Sequence, residues 1–168
     1  MSVDWRYIAV RPSWAGKIRS GQAGIREFVR AFDEHGAEGT DFCGEFDPEG
    51  WRTMHFDCVL TGDDLDGPIA EGMSRGMLYF SDPPPDARGI ARFGLVADDA
   101  LRKAAKELEA AAGRPRPSAR DTIRACDIEL DDISEEEAYA DLLAAALRCR
   151  DFILKCRDAG NCIVVEYS

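Results

Sequence analysis

A histidine and a cysteine three residues apart, close to a tryptophan, form the densest concentration of chemically capable side chains in this 168-residue sequence. The stretch from Asp47 through Trp51, His55, Asp57 and Cys58 to Thr61-Gly62 holds one of three tryptophans, one of two histidines and one of six cysteines. On a continuous helix Trp51, His55 and Cys58 share a face, so His55 and Cys58 could ligate a soft metal with Cys43 as a third donor. Zinc sites, however, announce themselves by paired close ligands, and here there is a single pair, so no metal is expected. A Cys-His nucleophile drawn from Cys58 or Cys43 with His55 meets another objection. A reactive thiol needs an electropositive setting, and the neighbours are Asp41, Glu45 and Asp57. The catalytic reading that survives is modest: His55 as general base with Asp57 within reach, in a small hydrolase or ligand-binding enzyme whose pocket is walled by Trp51.

A second constellation is electrostatic. Between positions 127 and 137, Asp127, Glu129, Asp131, Asp132, Glu135, Glu136 and Glu137 place seven carboxylates in eleven residues without a basic residue. The Asp-x-Asp-x-Asp-Gly loop and terminal Glu of a calcium hand are missing. Glu135 to Glu137 suit a helix N-terminus, while Ile128, Leu130 and Ile133 alternate with the acids to give apolar anchors inside an anionic rim. That pattern fits docking on a basic protein. With two histidines and no nucleophile elbow, no Ser-His-Asp set can be assembled. The glycines do not form a phosphate loop between a strand and a helix, and Gly67-Pro68 reads as a simple turn.

Several elements must position these groups. Trp5 to Arg11 alternates loosely and is stopped by Pro12, which predicts a first strand; Ser13 is placed to cap a helix over Trp14 to Ser20. Ile25, Phe28, Val29 and Phe32 lie on one helical stripe ending at His35-Gly36. Asp47-Pro48-Glu49 reads as a cap, an N1 proline and an acidic first turn, predicting helix through Leu60 with Thr61-Gly62 as its stop. A strand competes there on period alone. Met77 to Phe80 suits a strand, and Asp82-Pro83-Pro84-Pro85-Asp86 reads as a rigid connector. Asp98 and Asp99 open a helix with Leu101, Ala104, Ala105, Leu108 and Ala112 on one side, closed by Gly113. After Arg114-Pro115-Arg116-Pro117, Ser118 to Ala125 is helical or irregular. Ser134 with Glu137 makes a capping box for a long helix burying one narrow face of Tyr139, Leu142, Ala146, Cys149, Ile153 and Cys156. Cys162 to Tyr167 is β-branched enough to close the chain as a strand beside the first.

Composition sets the outer limits. The hydrophobic content of 45% is that of a globular core, and 168 residues fit one domain over 1–168. A net charge of −11 repels nucleic acid and anionic membranes and favours encounter with basic proteins. The N-terminal residues lack a basic region followed by an apolar run, and no stretch approaches the roughly 18 apolar residues of a span, so a cytoplasmic protein is expected. The cysteines at 43, 58, 126, 149, 156 and 162 contain no C-x-x-C pair and read as reduced, mostly buried thiols. Cys149 and Cys156 stand roughly 10 Å apart along a helix axis, too far to bond within it.

The segment Trp51-Arg52-Thr53-Met54-His55-Phe56-Asp57-Cys58-Val59-Leu60-Thr61-Gly62 resembles the Asp-x-x-x-x-Trp-x-x-Leu-His-Phe-x-Leu-Thr-Gly signature of the YfbM-like family of small bacterial proteins. Ala91 to Asp99 is similar to that family's Ala-Arg-Tyr-Leu-Thr-Pro-Glu-Glu lead into a helix. The run from Phe152 through Asn161 into a final apolar strand is similar to its ending. Met54 stands where Leu is usual, and Val96-Ala97 replace a Thr-Pro cap. The resemblance implies a single α+β domain: a small mixed or antiparallel sheet including both terminal strands, packed with about four to five helices, with Trp51 in a helix. It supplies no catalytic residues; Trp51, His55, Thr61, Gly62 and Arg92 enter as signature positions that line a site or hold the core. Together these readings favour a non-catalytic binding protein without a cofactor, of the acidic inhibitor or immunity type, docking on a basic partner through Asp127, Glu129, Asp131, Asp132, Glu135 and Glu136. The enzyme built on His55 and Asp57 is its rival.

Overall fold

In the computed structural model the backbone is described for residues 5–35, 45–46, 55–62, 67–70, 77–79, 93–96, 98–130 and 132–167. Five strands, β1 (Trp5–Val10), β2 (Glu45–Phe46), β3 (Met77–Tyr79), β4 (Phe93–Val96) and β5 (Cys162–Tyr167), form one sheet in the order β2-β1-β5-β4-β3. All four pairings are antiparallel, and the two chain ends lie side by side, with Tyr7 opposite Val165 and Ile8 opposite Val164. The expected α+β architecture, with both terminal strands in the sheet, is what the chain adopts.

The side chains of the central strands sort by the two-residue period of a pleated sheet. Tyr7, Ala9, Val96, Ile163 and Val165 enter one apolar cluster; Ile8, Val10, Phe93, Leu95 and Val164 enter another. Because both faces are covered, β5 reads as a continuous apolar run, and Ile163, Val164 and Val165 are each 0% exposed.

The second cluster is roofed by α1 (Pro12–Ser20) and α2 (Ile25–His35). Helix α1 does not begin as expected. Its first turn starts at Pro12 with Arg11 as the N-cap residue and no side-chain cap, so Ser13 is inside the helix. Proline at the first position has no N–H to leave unpaired and its φ is already helical, so Pro12 rather than Ser13 sets the start. Trp14 stacks edge-on against Phe28 at 5.5 Å, and Lys17 lies over the Trp14 ring at 5.0 Å.

The first cluster is covered by α3 (Phe56–Thr61), α4 (Asp98–Ala111) and α6 (Glu135–Asp158), with α5 (Ala119–Ala125) packed beside α6. Among the described residues there are thus six such helices, one beyond the expected four to five; the addition is α5, where helical and irregular structure were both open. Ser118 decides it by accepting the Asp121 backbone N–H at 3.1 Å. In α4 it is Ala111 that is buried, while Ala112 lies past the helix end and is exposed, because the helix closes one residue before the apolar stripe reaches it. The capping box of α6 forms as expected: Glu137 N–H donates to Ser134 Oγ at 3.2 Å, and Ser134 N–H donates to Glu137 Oε2 at 3.0 Å. Its buried face is wider than a narrow stripe, since Ala138, Ala145 and Phe152 are enclosed as well. A helix in contact with α3, α4, α5 and β5 buries more than one narrow stripe.

Candidate functional site

The signature segment is helical where it is described, but the helix is short. It begins at Phe56, with His55 as an N-cap residue at φ −105° and ψ 0°, outside the helical range. The expected helix through Leu60 therefore does not include position 55, which stands at its N-cap. Asp47 to Met54, including Trp51, lie outside the described residues, as do Cys43 and Arg92. The end matches expectation: Gly62 takes the left-handed conformation at φ 78° and its N–H reaches Cys58 O at 3.0 Å, a position for which glycine is suited. Thr61 Oγ1 donates to the Asp57 carbonyl at 2.8 Å, bonding back into its own helix.

Asp57 is the residue whose environment departs most from a sequence reading. Its side chain is enclosed, with 3% of the residue exposed, and its two oxygens accept the backbone N–H groups of Ile69 and Ala70 at 2.9 and 2.6 Å. Residues 68–70 are helical, and Pro68 has no N–H, so the donors at 69 and 70 belong to the first turn that any helix leaves unpaired. The carboxylate caps that turn from a neighbouring segment. Gly67 permits the approach: a Cβ there would lie 2.3 Å from Asp57 Cγ, well inside contact distance. What reads as a simple Gly-Pro turn is the receiving half of a buried knot that ties α3 to residues 67–70. Glycine before proline was the visible signal, but nothing local to Gly67 names Asp57 as its partner.

This geometry bears on the chemistry. An acid whose two oxygens already hold backbone donors in a nearly solvent-free setting fixes chain geometry. His55 stands half-buried at the edge of the same helix. Three of the described thiols, Cys149, Cys156 and Cys162, are held in the protonated form by their placement. Burial, reinforced by the Asp57 charge, pushes Cys149 up, and burial, with Cys162 adding to it, pushes Cys156 up to about 12. Burial also raises Cys162 to about 12, helped by its hydrogen bond to Asp98 at 2.6 Å. Cys58, Cys126, Cys149, Cys156 and Cys162 are free cysteines. Among the described residues no group of three or more His, Cys, Asp and Glu side chains could hold a metal, and no helix is long and apolar enough to cross a membrane.

The acidic segment lies at the surface, between α5 and the first turn of α6. Asp127, Glu129, Asp132 and Glu136 are exposed, Glu135 is half-buried, and Asp131 lies outside the described residues. Ile128 packs against the core and Leu130 is half-buried, so of the three expected anchors only Ile133, 50% exposed, faces water substantially. Sequence reading missed the basic neighbours. Arg120 and Arg124, one turn apart on α5, approach Glu135 at 3.5 and 3.8 Å, because the packing of α5 on α6 folds an arginine-bearing segment back beside the acids.

No family model matches the sequence, and no curated protein sequence matches it either. Among solved structures, the crystal structure of a protein of unknown function, YfbM from Escherichia coli, is similar over 96% of this chain and 97% of that one, with a TM-score of 0.53 and 10% identity. A likeness at that identity speaks for the course of the backbone, and by it this chain is an α+β protein with a YfbM-like fold.

Proposed function

We propose that this chain is a non-catalytic, cytoplasmic binding protein, of the kind that inhibits or neutralises a basic protein by covering its working surface. The observation that carries the reading is Ile133, the large hydrophobic side chain left half in water among the described residues, in a stretch of chain whose carboxylates Asp127, Glu129, Asp132 and Glu136 are exposed. An apolar anchor desolvated inside a charged rim is the arrangement by which interfaces combine affinity with a fast, steered encounter. The net charge of −11 extends the attraction beyond the contact itself. The state of Asp57 supports the same reading from the other side, since the acid that the enzyme alternative needs beside His55 is engaged in holding backbone.

The test is calorimetric titration of the purified chain with each basic protein encoded by an adjacent gene, over a range of salt. A complex is expected with one of them, weakening as salt rises and lost in the triple reversal Asp127→Lys, Glu129→Lys, Asp132→Lys. Absence of any complex, or a complex indifferent to salt and to the reversal, would count against the reading.

A further inference from the structure

The two faces of the sheet are closed to different depths. On one, α6 alone buries eight side chains and α4 buries five more. On the other, α1 buries Ala15 and Ile18, and α2 buries Ile25, Phe28 and Val29. Trp14 and Phe32 complete that layer from partly exposed positions. The elements of a folded protein that open at lowest cost are those with little buried apolar surface, and α1 with α2 meet that description.

These two helices hold each other. Residues 21–24 join them through Gly21 in the left-handed conformation, φ 72°, and Trp14 of α1 packs edge-on against Phe28 of α2 at 5.5 Å. Polar side chains tie them to opposite ends of β1 and β5. At the Val10–Cys162 end, Arg19 of α1 donates to Asp98 Oδ1 at 2.8 Å and to Cys162 Sγ at 3.5 Å, and the Cys162 thiol donates to the same Asp98 oxygen at 2.6 Å. At the Arg6–Glu166 end, about 13 Å away along the strands, Arg6 donates to Glu166 Oε2 at 2.8 Å and to Asp33 Oδ1 of α2 at 2.8 Å. Arg19, Asp98 and Asp33 are each partly open to water, where an ion pair adds little.

We propose that α1 and α2 form a lid that swings open as one body while α3, α4 and α6 stay folded on the other face, with Arg11 as a hinge and the Arg19–Asp98–Cys162 contact as the latch. Opening uncovers Ile8, Val10, Phe93, Leu95 and Val164 of the sheet, and Cys162 with them. Arg11 is an exposed residue in the extended conformation between β1 and α1, so rotation there carries the helices without breaking either element. The lid is independent of the binding role assigned above to the acidic edge.

Cys162 is a built-in reporter of this motion. It belongs to the cluster under the lid, whereas Cys149 and Cys156 belong to the cluster on the opposite face. Alkylation of the folded chain with iodoacetamide, its initial rate at each cysteine read by peptide mass spectrometry, measures how often each thiol is uncovered. Cys162 is expected to react at least about tenfold faster than Cys149 and Cys156, which wait for the whole molecule to open.

Two variants separate the lid from its alternatives. Val29→Ala removes contacts that exist only while the lid is closed, and is expected to raise the rate at all three thiols at least about tenfold. Ser134→Ala weakens α6 equally with the lid closed or open, so it is expected to raise Cys149 and Cys156 about fivefold and leave Cys162 unchanged. Should Val29→Ala fail to fold, Ile18→Val is expected to act in the same direction, by about threefold. Equal rates at the three thiols, or a Cys162 rate that rises with Ser134→Ala, would mean that the chain opens only as a whole and would overturn the proposal. A fast Cys162 indifferent to both lid variants would assign its exposure to the Arg19 side chain swinging aside, and would overturn it as well.

Discussion

Two sets of carboxylates in this molecule have opposite surroundings. Asp57 is enclosed, its oxygens bonded to the Ile69 and Ala70 backbone and its approach cleared by Gly67. Asp127, Glu129 and Asp132 are open to water beside an isoleucine that is half exposed. The first has exchanged hydration for fixed donors and so stiffens the chain; the second keeps its hydration and its charge acts outward. Chemical capability read from residue type favours the segment around Asp57, whereas its surroundings tie Asp57 into the scaffold and those of the acidic run leave its carboxylates facing water.

The contrast can be broken most forcefully at Gly67. Adding a methyl group there drives carbon into Asp57, and Gly67→Ala is expected to lower the unfolding free energy by about 3 kcal/mol, read from the urea midpoint. Asp57→Asn keeps the shape but turns an amide N–H₂ toward one of the two backbone donors; a loss of about 2 kcal/mol is expected by the same measurement. A neutral result at either position would remove the knot from the account. Ser134→Ala deletes the cap of α6 and is expected to cost about 1 kcal/mol, appearing first as faster amide exchange in the opening turn of that helix.

A weaker effect appears with pH at a half-exposed acid that belongs to neither of the two sets. Asp98 is held below the ordinary carboxylate range by the Cys162 thiol and by Arg19, which pairs with it at 2.8 Å. A lowered carboxyl contributes stability that is fully present above its unfolded-state value and disappears as pH falls through the folded one. The gap between the original chain and Asp98→Asn is therefore expected to be widest near neutrality and to close below about pH 4. The side chain is 45% exposed, so solvent screening keeps this gap small. Reversing Glu129 is expected to move stability least, within about 0.5 kcal/mol.

Much of the fold was legible wherever periodicity and end signals agreed. The stripe of Ile25, Phe28 and Val29, the Ser134–Glu137 box and the β-branched run of β5 each report a local physical preference that tertiary packing left in place. Starts were less legible where two signals lay side by side: Pro12 and Ser13 both mark a helix N-terminus, and proline took it. The candidate site was legible in kind but not in use. Asp57 is separated from Ile69 by twelve residues and Glu135 from Arg120 by fifteen, and no local pattern reports a partner supplied by another segment. Charge counting found the acids of 127–137 but saw Arg114 and Arg116 only as part of a break and gave Arg120 and Arg124, in the segment after it, no role.

The most direct measurement compares one variant from each region in two assays, unfolding and binding to the basic partner. Asp57→Asn is expected to lower the urea midpoint and, while folded, to keep the binding constant of the original chain; the Asp127, Glu129, Asp132 reversal is expected to keep the midpoint and lose the complex. The opposite assignment, with binding abolished in folded Asp57→Asn and untouched by the reversal, would contradict the account.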